Sequence, residues 1–321
     1  MSILFFAFRV DLVKAESMTI IIPDDYPTIQ EGINAASDGD TILVRSGNYH
    51  GIKNPSETMI VVNKSISLIG ENKSNTVLDG EYWFVTIIHI EADNVTVKGF
   101  TIQNAASVWC PCGGGIVLEQ SKGSRIVDNV IRTAYQAGIR LWSANNTRIA
   151  DNIFIDNGNA IYCKPYPYEA NNNIIYHNNF VESSWHAAIS PRSSNVWDDG
   201  YPSGGNYWDD YNGTDLYSGI FQNETGSDGI GDTWYAINEN NTDRYPLTRP
   251  WNWPLLGETN FDFKVDIKDI AVAAKAFGSY PEHPEWNPLA DITGPERLVP
   301  DGKIDIRDLA LIASNFGKMY P

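Results

Sequence analysis

The chain has 321 residues, with 40 acidic against 23 basic side chains and a formal charge of −17. That balance excludes nucleic acid as a partner, because a phosphate backbone needs clustered Lys and Arg, and it suits an extracellular protein or one that gathers divalent cations. No apolar run approaches the ~20 residues that cross a bilayer.

Residues 3–8 are apolar, and Val13-Lys-Ala15 has the small-residue end of a secretory signal, although no basic segment precedes it. Residues 1–17 are therefore expected to be a residual signal peptide, the alternative being a disordered tail. Seven Asn-x-Ser/Thr sequons (Asn63, Asn72, Asn94, Asn145, Asn212, Asn223 and Asn240) are compatible with export to an extracellular or cell-surface location. Three cysteines make no disulfide framework. Cys110 and Cys112 flank Pro111 in a turn, where a local disulfide, a thiol pair and half a metal site all remain open.

Residues 20–23 form a short β-prone run. Thr28-Ile-Gln-Glu31 is a capping box that opens an amphipathic helix, and Asp38-Gly-Asp40 ends it before the strand 41–44. A helix ahead of a run of strands can close the open end of a solenoid.

A pattern then returns. Gly115-Ile-Val-Leu-Glu comes back as Gly138-Ile-Arg-Leu-Trp, Ala160-Ile-Tyr-Cys-Lys and Ala188-Ile-Ser-Pro-Arg. A repeat of roughly 22–28 residues built from short alternating runs is the mark of a solenoid. Alternation aligns Met59/Val61, Ile88/Ile90, Ile116/Leu118, Ile139/Leu141, Ile161/Cys163 and Ile189/Pro191 on one apolar face. A second strand per turn follows from Ile66/Leu68, Val95/Val97, Ile126 and Ile149. Asn129, Asn152 and Asn178 fall in register at one corner, where stacked amides can hydrogen-bond along the axis. These features imply a mostly β fold, a parallel β-helix.

Residues 20 to about 190 resemble the right-handed parallel β-helix repeat proteins, a pectin-lyase-like group that includes carbohydrate-binding proteins and sugar hydrolases. Gly204-Gly-Asn-Tyr-Trp-Asp-Asp-Tyr-Asn-Gly-Thr-Asp, Gly226-Ser-Asp-Gly-Ile-Gly-Asp and Asp243-Arg-Tyr-Pro resemble the closing part of NosD-like proteins, secreted β-helices often seen in archaea. The expected organisation is a β-helix over 18–195, a closing segment over 196–248 and a Pro/Trp linker over 249–257. The Asp-rich loops of the closing segment read as turns made by Asp and Gly in preference to calcium sites.

From residue 258 a different repeat begins. Val265-Asp-Ile-Lys-Asp-Ile-Ala matches Ile304-Asp-Ile-Arg-Asp-Leu-Ala, each copy a helix ending in Gly and preceded by an acidic loop. A twelve-position calcium loop would place Glu258, Asn260, Asp262, the Lys264 carbonyl, Asp266 and Asp269 around one Ca2+. The second copy offers Asp291, Asp301, the Lys303 carbonyl, Asp305 and Asp308. The pattern is similar to type I dockerins, small all-α modules with EF-hand-like loops, and implies calcium and a cohesin-like or cell-envelope partner. Phe263 stands where the family has Gly, and Ile267-Lys268 and Ile306-Arg307 stand where cellulosomal members have hydroxyl residues. The alternative is a metal-free helical hairpin.

The positions between the inward pairs form two outward columns: Ile60, His89, Val117, Arg140, Tyr162 and Ser190 beside Val62, Glu91, Glu119, Trp142, Lys164 and Arg192. His89, Arg140, Trp142, Tyr162, Lys164 and Arg192 offer the aromatic faces and charges that a polysaccharide needs. Glu91 and Glu119, on turns about 4.8 Å apart, are the candidate catalytic pair, since retaining glycosidases separate their carboxyls by about 5–5.5 Å. Solvated ladders of charge are the alternative. No pectate lyase, pectin methylesterase or polygalacturonase motif is present. The two readings are thus a tethered polysaccharide-binding or polysaccharide-degrading protein and a non-catalytic structural or adhesion protein of the cell envelope.

Overall fold

A computed structural model describes residues 17–51, 58–106, 113–163, 167–252, 257–259, 265–280, 283–287, 290–293 and 302–317. The signal-like segment to residue 16, Cys110, Cys112, Lys164, Asn260, Asp262, Lys264 and Asp301 lie outside them.

Each turn of the chain lays down three short strands, and like strands stack in parallel. Among the described residues, sheet A has seven strands from Thr19–Ile22 to Ile174–Tyr176. Sheet B has seven from Gly47–His50 to Tyr207–Trp208, and sheet C six from Thr58–Val62 to Trp185–Ala188. The result is a parallel β-helix, in which successive turns rather than hairpins satisfy the backbone. No helix among the described residues is long and apolar enough to cross a membrane.

Sheet C carries the expected inward pairs, with Ile88, Ile116, Ile139 and Ile161 in register and fully buried. Two ends of that alignment are corrected. Ile60, not Met59, lies opposite Ile88, and Val61 opposite His89, so Ile60 and Val62 are the buried pair. At the other end Ile161 faces Ala187 and Tyr162 faces Ala188. The Ala188-Ile-Ser-Pro-Arg echo is therefore displaced by two residues, and Ser190 and Arg192 follow the last strand of sheet C. Met59-Ile-Val-Val62 is apolar in either register, and Ala188-Ile189 copies Ala160-Ile161, so similarity between runs misled at both ends.

The second sheet is as expected: Leu68, Val97, Ile126, Ile149 and Ile175 form one buried row in sheet A. The third strand of each turn is an addition to the reading. Sheet B contributes the row Leu78, Ile102, Ile131, Phe154, Phe180 and Trp208. Most of its strands are three residues long, with one central inward side chain per turn, too few to show a period of two. The row becomes aromatic toward its end: Phe154 stacks on Phe180, Phe180 on Trp208 and Trp208 on Tyr235, with centroids 5.0, 4.3 and 4.2 Å apart.

The corner between sheets A and B holds the asparagine ladder. Asn129 donates its amide and its Nδ2–H to Asn152 Oδ1 at 3.0 and 3.1 Å. Asn152 does the same to Asn178, and Asn178 to Asn206. Asn206 then donates to Asp243 Oδ2. The residue before each of the first three asparagines is left-handed, with φ of 56° at Asp128, 60° at Asp151 and 55° at His177. Asp, Asn and His tolerate that conformation better than branched residues. A second ladder runs from Asn173 through Asn195 to Asn241. Both ladders finish on the antiparallel hairpin of Tyr235–Asn238 and Asn241–Asp243.

The helix Ile29–Ala35 has its capping box, with Thr28 and Glu31 bonded reciprocally, and buries Ile29 and Ile33 in the core. Toward the C-terminus, Ile267–Lys275 and Ile306–Ser314 pack around Val265, Ala273, Ile304 and Ile312. Gly278 donates to the Ile304 carbonyl and Gly317 to that of Val265, at 2.8 and 2.7 Å. The two repeats are thereby exchanged by an approximate two-fold.

Candidate functional site

The outward face of sheet C gathers the side chains that the alternation singled out. His89, Val117, Arg140, Tyr162 and Ala188 occupy one row, and Glu119 pairs with Trp142 in the next. His89 stands between the two glutamates: its Nε2 is 2.9 Å from Glu119 Oε2 and its Nδ1 3.5 Å from Glu91 Oε1. The imidazole thus fills the space in which a paired-carboxylate mechanism would place its reacting atom. Glu91 is the more exposed of the three.

Arg140 is 3% exposed and does not project into solvent. Its Nε–H donates to the Gly113 carbonyl at 3.0 Å, an Nη2–H to Gln136 Oε1 at 3.1 Å, and its guanidinium lies 4.5 Å from the Tyr162 ring centroid. Burial pulls its pKa down and Tyr162 acts against that. Its positive charge steadies Tyr162 from below, a cation–π contact worth about 0.5–2 kcal/mol. Trp142 is half-buried, held edge-on against Tyr168 with centroids 5.0 Å apart. Arg192 is exposed beyond the sheet.

Three aromatic residues that alternation did not select sit at the entry edge of the same sheet. Trp185 begins the last strand and is 68% exposed, while Trp83 and Tyr135, before the strands Thr86–Ile90 and Ala137–Trp142, are 52% and 70% exposed. The available signal was a large aromatic at a turn, where Gly, Asn and Asp are usual. They stand where the chain enters sheet C, whose outward positions include Trp142 and Tyr162, and exposed rings can stack on sugar C–H faces.

The motifs of the closing segment have structural employment. Asp215 accepts from Ser227 Oγ and from the amides of Asp228 and Gly229, and Asp232 accepts from the amides of Leu216 and Tyr217, which makes them turn residues. Arg244 grips Asp198 with Nε and Nη2 at 2.9 and 2.7 Å. A β-carbon at Gly205 would overlap both oxygens of Asp243, so only glycine leaves room for the carboxylate that ends the ladder. Burial pushes Asp243 up to about 7, against hydrogen bonds from Trp208, Asn206 and Tyr245 that favour its carboxylate. Trp251 is tied down as well: it stacks on His177 at 3.5 Å and donates its Nε1–H to Asp151.

In the C-terminal repeats, Glu258, Asp269, Asp291 and Asp308 are at most 1% exposed. Asp266 and Asp305 are helix N-caps and Asp269 and Asp308 complete their capping boxes. Asp269 also accepts from the Thr259 amide, Asp308 from the amides of Ile292 and Thr293, and Asp291 from Gly302. Arg249 reaches Asp291 at 3.4 Å. The Arg307 guanidinium holds Asp305 below the usual carboxylate range. Lys303 is exposed.

A family model described as "Periplasmic copper-binding protein (NosD)" matches residues 31–213, more than half of the chain. Over 126 residues the chain is 29% identical to a "Cell surface glycoprotein" of Methanothermus fervidus, covering 39% of this chain and 18% of that protein. The chain thus spans under a fifth of the curated relative it matches. Among solved structures, ORF18 of Geobacillus virus E2 is similar with a TM-score of 0.39 and 14% identity, over 54% of this chain and 43% of that one. A pectin methylesterase from Yersinia enterocolitica has a TM-score of 0.29 and 14% identity, over 49% and 66% of the two chains. Scores this low carry nothing about chemistry.

Proposed function

Because this chain belongs to the NosD family of β-solenoids, we propose that it is a surface-associated protein that binds polysaccharide along the outward face of sheet C. The observation that carries the reading is the alignment on one face of Trp142 and Tyr162 with the His89–Glu119 pair, flanked by the exposed rings of Trp83, Tyr135 and Trp185. Aromatic stacking supplies affinity and the His89–Glu119 pair supplies hydrogen bonds to hydroxyls or uronate groups. Binding is favoured over cleavage, since His89 separates the two carboxylates that hydrolysis would use. The resemblance to a cell surface glycoprotein supports the surface location.

The C-terminal repeats, in this reading, take Ca2+ and tether the protein to a cohesin-like or cell-envelope partner. Supporting it are four carboxylates buried in so small a unit, an arrangement that a hard cation offsets. The copper named in the family's description is not carried over, because the five His residues are spread along the chain and the four Met residues form no cluster in the sequence.

The test is a panel of acidic and neutral polysaccharides, scored for binding and for new reducing ends. Retention of an acidic glycan, weakened by Trp142→Ala, is the expected result. No binding across the panel would leave the solenoid as an adhesion spacer, and reducing ends lost on Glu119→Gln would make it an enzyme.

A further inference from the structure

One inward position of sheet C changes character on the last turn. The residue before the inward aliphatic is Met59, Ile87, Gly115, Gly138 and Ala160 on successive turns, half-buried at Met59 and buried at the rest. The sixth turn places His186 there, opposite Ala160, with its side chain only 7% exposed. An imidazole in an otherwise apolar row costs burial free energy unless something there uses it.

Two carboxylates meet it. Asp209 and Asp210 follow the last strand of sheet B, and their Oδ1 atoms lie 2.6 and 3.5 Å from His186 Nε2. All three donor atoms fall within 4.8 Å of one another, the one such convergence of His, Cys, Asp or Glu among the described residues. Each carboxylate is fixed from outside the group by its other oxygen. Asp209 Oδ2 accepts the Glu182 amide at 2.5 Å, and Asp210 Oδ2 accepts the Tyr235 phenol at 3.1 Å. Anchored carboxylates of this kind are what orient ligands around a metal. A single Nε2–H, by contrast, can be given to one carboxylate only, which leaves the second facing a like charge.

We propose that His186, Asp209 and Asp210 bind one first-row divalent transition cation, of the Zn2+ or Co2+ class, at the C-terminal end of the solenoid. One nitrogen and two oxygens suit such an ion, whereas Ca2+ seeks six to eight oxygens. Asp210 is 58% exposed, so the remaining coordination positions open to solvent. His186 Nδ1, which carries the ring proton in the metal-bound form, is buried without a partner. A missing outer partner typically costs 10–100-fold in affinity, so the ion is expected to exchange rather than serve as a permanent staple.

The experiment is a Co2+ titration of the full chain, with Ca2+ in excess to occupy the C-terminal repeats. Expected are visible d–d bands that saturate at one equivalent and are displaced by Zn2+. His186→Ala should abolish them, and Asp210→Asn, at an exposed position that spares the fold, should weaken Co2+ binding about tenfold or more. His50→Ala, in the first strand of sheet B, should leave the titration unchanged. Absence of the bands in the unaltered protein, or bands that persist at full strength in Asp210→Asn, would overturn the proposal and leave His186 as the partner of an ion pair.

Discussion

His89 Nε2 approaches Glu119 Oε2 to 2.9 Å between neighbouring turns of the solenoid, while its Nδ1 faces Glu91. The contact holds the imidazole upright on sheet C beside the Trp142 row, and both partners keep some access to solvent. Glu119→Gln is therefore expected to weaken glycan retention several-fold while lowering stability by less than about 1 kcal/mol, the range of exposed ion pairs. Affinity electrophoresis alongside chemical denaturation separates the two effects. A loss of fold that tracks the loss of retention would remove the pair from the site.

Asn152 is the middle rung of a ladder that is fully buried. It accepts from Asn129, donates to Asn178 Oδ1 and returns an Nδ2–H to the Ile126 carbonyl at 2.8 Å. Asn152→Ala leaves several polar groups in the interior without partners, at about 1–3 kcal/mol for each. Denaturant unfolding should show a drop of several kcal/mol in total. A loss under 1 kcal/mol would mean that water replaces the rung.

Asp243 makes stability depend on pH. Its folded pKa is raised from 3.8 to about 7, chiefly by burial. Between those values the folded state holds a proton that the unfolded chain has released. Its contribution is thus complete below about pH 4 and is lost as pH rises through about 7, a change of a few kcal/mol. The difference in melting temperature between the unaltered protein and Asp243→Asn, followed from pH 4 to 8, isolates this group from the other carboxylates. A flat difference would show that the hydrogen bonds from Trp208, Asn206 and Tyr245 keep Asp243 ionised throughout. Gly205→Ala should unseat the same carboxylate and unravel the end of both ladders, since the added carbon overlaps it.

The two buried capping aspartates of the C-terminal helices are structural before they are anything else. Asp308 accepts three amides, those of Ile292, Thr293 and Asp305, with no exposure. Asp305→Ala removes an N-cap, worth about 0.5–2 kcal/mol, and Asp308→Ala should cost more. If Ca2+ occupies these loops, thermal unfolding of the unaltered protein rises on adding Ca2+ and falls with a chelator, and Asp308→Ala abolishes that response. A melting temperature indifferent to both reagents would discard the calcium assignment.

The solenoid was legible because apolar residues recurring at Ile88, Ile116, Ile139 and Ile161 leave few other ways to bury them, and because Asn129, Asn152 and Asn178 repeat at the same interval. The capping box of the first helix could likewise be read locally, being a contact between residues three apart, whereas Asp266/Asp269 and Asp305/Asp308 read in sequence only as calcium ligands and the structure shows them as capping boxes too. Sheet B escaped notice because one inward side chain per turn has no period. The last turn of sheet C was misplaced by two residues because register is set by which strand lies alongside: Ala188-Ile189 copies Ala160-Ile161 in sequence, yet Ile161 lies opposite Ala187.

The candidate sites divide along the same line. Sequence alone determined that a β-helix would present His89, Glu119, Trp142 and Tyr162 on one side, since alternation within each recurring run dictates which side chains share a face. It could not decide that Arg140 turns under Tyr162, or that His89 parts the glutamates, because those are choices of rotamer made against neighbours one turn away. Only the tertiary structure brought His186 to Asp209 and Asp210, and the two ladders to Asn241 and Asp243. Those partners are separated by 23–46 residues of chain, and closure of the turns, not any local pattern, sets the distance between them.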